Sequence, residues 1–146
     1  MDKSQAITNL VLAFREGDRD AAAELIYEFT PLINKYLCLL SKGIVDTSDA
    51  DSVQLIKMLG GTSIEDKAYA ISNTLSVYYE DVDLKHELIL ALLRTAAKYI
   101  SISSNYIYEV KTTVRNLLAQ VPYYSTSISD FPEVDSCWEI DDSWIE

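Results

Sequence analysis

From Ile7 to Leu118 the apolar side chains recur at intervals of three and four, and nowhere do they settle into the alternation of a half-buried strand. Ile7, Leu10, Val11 and Phe14 form one such group, and Ala22, Leu25, Ile26, Phe29, Leu32, Ile33, Tyr36 and Leu40 form a longer one. Short polar breaks separate the groups. This pattern predicts an all-α chain, a compact domain of five to six helices with one core.

The punctuation supports the same reading. Ser4 can cap a first helix over 4–15, Gly17 suits its C-terminal turn, and Asp18 can cap a second helix over about 19–41. Pro31 falls inside that second helix and is expected to bend or divide it. Asp49 or Asp51 can open a short helix that Gly60 and Gly61 end, and a fourth is expected over 64–78. In the fifth, Leu84, Leu88, Ala91, Leu92, Thr95 and Tyr99 share the inward face, with Asp81 or Asp83 as cap or first-turn acid. Residues 101–105 read as an interruption. Ile107, Val110, Val114, Leu117 and Leu118 then define a sixth helix, which Pro122 stops.

A chain of 146 residues that is 49% hydrophobic is long enough for one self-sufficient core. Its apolar runs are too short to span a bilayer, and its start lacks a basic signal region, so no membrane role and a cytoplasmic location are expected. Cys38 and Cys137 belong to no metal or redox motif, which suits a reduced pair. The net charge of −11 opposes tight unassisted binding to nucleic acid. That charge is uneven. Residues 125–146 hold seven acids and no base, whereas Lys98, Lys111 and Arg115 face only Glu109 between 98 and 124. The expected division is therefore a helical domain at 1–121 and an acidic aromatic tail at 122–146.

The only histidine, His86, is followed by Glu87, as in the HExxH zinc motif, but Leu90 stands where the second histidine belongs. No nucleophile elbow or glycine-rich phosphate loop is present, so neither an enzyme nor a cofactor or metal is expected. On the fifth helix Lys85, His86 and Glu87 fall opposite the inward leucines and face solvent.

The stretch "VDLKHELILALLRTAAKY" resembles the second conserved region of bacterial sigma factors, the specificity subunits of RNA polymerase. Asp83, Leu84, Glu87, Leu90, Leu92 and Tyr99 hold that family's spacing, and His86 replaces its usual glutamine. Upstream, Gly17, Asp18, Ala22, Leu25, Phe29 and Pro31 fit the opening of the same region. The resemblance implies that Asp83, His86, Glu87 and Arg94 dock on the β′ clamp helices of core polymerase. It further implies that Tyr106, Tyr108, Lys111 and Arg115 meet melted promoter DNA, since rings stack on bases and cations meet phosphates.

Three departures qualify the match. Residues 42–80 read as an inserted or divergent segment, "YISISSNYIY" replaces the family's aromatic pattern, and no helix-turn-helix domain is expected after Gln120. A second sigma-like subunit is one candidate source of that domain. In the tail, Trp138, Trp144 and Ile145 are candidate anchors for a partner pocket. The ending "DDSWIE" weakly resembles the C-terminus with which late sigma factors of T-even-type phages engage the sliding clamp. A linker in the polymerase cleft, a self-covering segment and a tail without a partner are the other readings. Three functions follow: a minimal sigma-like transcription factor, a phage-type protein that docks like sigma but inhibits or redirects the polymerase, and a helical adaptor unrelated to transcription.

Overall fold

The computed structural model describes residues 2–60 and 63–121. Among these it contains six helices and no strand: α1 (Lys3–Arg15), α2 (Arg19–Lys42), α3 (Ala50–Met58), α4 (Ile64–Tyr78), α5 (Asp81–Lys98) and α6 (Ile102–Ala119). The all-α expectation holds. The first four starts each have a polar side chain that caps otherwise orphaned amides. Asp18 accepts from the amides of Asp20 and Ala21, Asp49 from that of Ser52, and Ser63 from that of Asp66. At α1 the cap is Asp2, which accepts from the Gln5 amide at 2.8 Å, and not the expected Ser4.

One core joins all six helices. α2 crosses the molecule and packs on α1, α4 and α5, while α5 lies along α6. Leu25, Phe29, Ile33, Tyr36, Leu39 and Leu40 of α2 are buried there. The expected division of α2 at Pro31 does not occur. Pro31 points outward, and Tyr27, whose carbonyl loses its usual amide donor, is 73% exposed and open to water. Buried residues on both sides of the proline hold one continuous stripe, which outweighs a local penalty of about 3 kcal/mol.

α2 ends at Gly43 with φ +70°, and the glycine sits against α4. A Cβ there would lie 3.1 Å from the Tyr69 Cα and 2.6 Å from the Ser72 Oγ. The segment expected to be inserted or divergent supplies Leu55, Ile56, Leu59, Ala68, Ile71 and Leu75 to this core. It is therefore integral to the packing.

Two further corrections concern the α5–α6 junction. Tyr99 does not continue the inward face of α5: it is the extended residue after the last turn and is 40% exposed. α6 begins at Ile102, earlier than expected, because Ile102 is itself buried and draws the serine-rich stretch into the first turn. Only residues 99–101 break the helical path.

Candidate functional site

α5 is fixed at its start by reciprocal capping between Glu80 and Asp83, in which the Glu80 amide donates to Asp83 Oδ2 at 2.9 Å. Its inner face, Leu84, Leu88, Ala91, Leu92, Thr95 and Ala96, is fully buried. The opposite face carries Val82, His86 and Leu90, which four-residue steps align along the outside of the helix. Val82 is 66% and Leu90 38% exposed, and the neighbouring Val77 and Tyr78 at the end of α4 are also open. A helix that is apolar on both faces is satisfied only when both are covered.

The four residues expected to dock do not share one environment. His86 is exposed and central to the outer stripe. Asp83 is exposed but also caps the helix. Glu87 is half-buried; its charge, after burial, helps raise the pKa of the Tyr79 phenol, whose hydroxyl donates to the Leu117 carbonyl at 3.4 Å. Arg94 is held by α6. Its Nη2 donates to Thr113 Oγ1 at 2.8 Å, and its Nε lies 3.7 Å from Glu109, which Lys98 also grips at 2.9 Å. The Glu109 side chain is only 13% exposed, so this seam joins α5 to α6 around a sheltered carboxylate.

The residues expected to meet DNA are also separated. Tyr106 requires correction: it is fully buried, and its hydroxyl donates to the Leu88 carbonyl at 2.8 Å. Its ring lies 6.4 Å from Phe29 and 5.9 Å from Tyr36. Burial raises its pKa, and Tyr36 adds to the effect. No face of this ring is open to a base. Arg115 is half-buried and directs Nη2 at the Met58 carbonyl at 3.4 Å, where a cation suits the end of α3; its Nε is buried without a partner. Tyr108 remains 53% exposed, with Lys111 one turn away and half-buried.

Trp138, Trp144 and Ile145 lie outside the described residues. Among the described residues no three His, Cys, Asp or Glu side chains gather as a metal site, and no helix is long and apolar enough to cross a membrane. The exposed apolar side chains Val77, Tyr78, Val82 and Leu90 are not among the residues expected to dock. The signal was available in the second apolar row of α5, offset from the inward leucines.

Comparison with protein families, with curated proteins and with solved structures finds no match to this chain.

Proposed function

We propose that the chain is a docking module that binds bacterial RNA polymerase core through the outer face of α5, on the β′ clamp helices that the sigma resemblance implies. One observation carries the reading. The row Val82, His86 and Leu90 leaves apolar surface open on a helix whose inner face is already complete. Asp83, His86 and Glu87 supply charge and hydrogen-bonding groups beside it, while Arg94 fixes the helix to α6 and acts from behind the interface. Apolar contacts flanked by polar groups suit a helix-to-helix interface. Any promoter-directed role falls to Tyr108 and Lys111, since Tyr106 belongs to the core.

The test is retention of the full chain on purified core polymerase, comparing it with Val82→Lys and Glu87→Lys variants. Removing one apolar contact and adding a like charge at the rim of a basic partner is expected to weaken binding about 10- to 100-fold, or 1.4–2.8 kcal/mol by order of magnitude. Equal retention of all three proteins would refute this face as the dock. A helical adaptor outside transcription would then be the better account.

A further inference from the structure

We infer that this chain, once docked, keeps DNA off the polymerase instead of opening it, an inference that rests on the docking reading above. Glu80, Asp81, Asp83 and Glu87 crowd the start of α5, with Lys85 as the only Lys or Arg between 77 and 90. Beside them stand the exposed Val77, Tyr78 and Val82 of the α4–α5 corner. The surface complementary to these groups is basic with apolar gaps. Such a surface also holds nucleic-acid phosphates, so carboxylates seated on it compete with DNA for the same cations.

The arrangement of α6 points the same way. Holding unpaired bases requires open rings above a cationic groove. Here the Tyr106 ring is in the core, the Arg115 guanidinium turns to the Met58 carbonyl, and Arg94 and Lys98 are both drawn to the single carboxylate of Glu109. Tyr108 and Lys111 alone do not make a groove. Even without residues 122–146, which hold seven of the 23 acids, acids outnumber the 12 bases. Docking therefore adds net negative charge to the complex, and the Coulomb term opposes DNA near the docked chain.

The experiment uses the full chain with core polymerase and a fluorescent forked DNA carrying a single-stranded arm. DNA anisotropy reports its release, and a separate label on the chain reports docking. The expected result is a fall to the anisotropy of free DNA, with its midpoint near the chain's own dissociation constant. Glu87→Lys should shift both midpoints by the same factor. DNA that stays bound at saturating chain, or anisotropy that rises as a ternary complex forms, overturns the inference while leaving the dock intact. No binding of the chain to core refutes the docking reading and this inference together.

Discussion

Replacing Tyr106 decides whether that residue serves the fold or a ligand. Its ring is enclosed by Phe29 and Tyr36, and its hydroxyl donates to the Leu88 carbonyl from inside the core. Tyr106→Phe keeps the ring and removes one hydrogen bond, a net loss of about 1 kcal/mol. The Leu88 carbonyl keeps its helical partner, so the loss stays moderate. Tyr106→Ala also empties a ring-sized volume between three helices and should cost about 3–5 kcal/mol. At roughly 4 °C per kcal/mol for a domain of this size, the expected falls in melting temperature are about 4 °C and about 12–20 °C. Thermal unfolding followed by helical circular dichroism measures both. A Tyr106→Ala protein that melts with the parent would refute the placement of the ring and restore it as a candidate base platform.

Other substitutions test other joints. Gly43→Ala adds a left-handed penalty of about 1 kcal/mol and an overpacking cost of about 1–3 kcal/mol against α4; Gly17→Ala has nothing within 4 Å of its new Cβ and should show the backbone penalty alone. Denaturant midpoints compare the two, and equal losses would contradict the close α2–α4 contact. A double-mutant cycle on Arg94 and Glu109 should give a coupling of about 0.5–1 kcal/mol that shrinks in salt, because Arg94 is partly solvated. Asp49 has a lowered pKa, first because Lys35 donates to it. Its contribution is present above the unfolded value of 3.8 and is lost as pH falls through the lower folded one. Asp49→Asn should therefore flatten the acid limb of stability against pH; an unchanged limb would exclude that ion pair as a contributor.

Much of the fold was legible because caps and periodicity agree. Asp18, Asp49 and Gly17 mark the ends they occupy, and the 64–78 helix follows from its apolar spacing. The misreadings have physical causes. Local sterics at Pro31 predict a break, whereas α2 is held by buried residues on both sides of it. Turn chemistry predicts an interruption over 101–105, whereas the burial of Ile102 draws 102–105 into α6. The side-chain chemistry of Tyr106 suggests a base platform, although its spacing from Val110, Val114 and Leu117 already places it on the inner stripe. The site was less legible than the fold. Nothing in the order of residues reveals that Arg94 closes on Glu109 and Thr113, or that Arg115 turns to the end of α3. Those are contacts between distant elements.

The most direct test of docking through α5 is a photo-cross-linking residue placed at position 86, with a second at the exposed Tyr27 as control, each full chain being mixed with core polymerase. The account predicts a cross-link from position 86 to the β′ clamp helices and none there from position 27. Cross-linking from position 27 alone, or none from either, would contradict it.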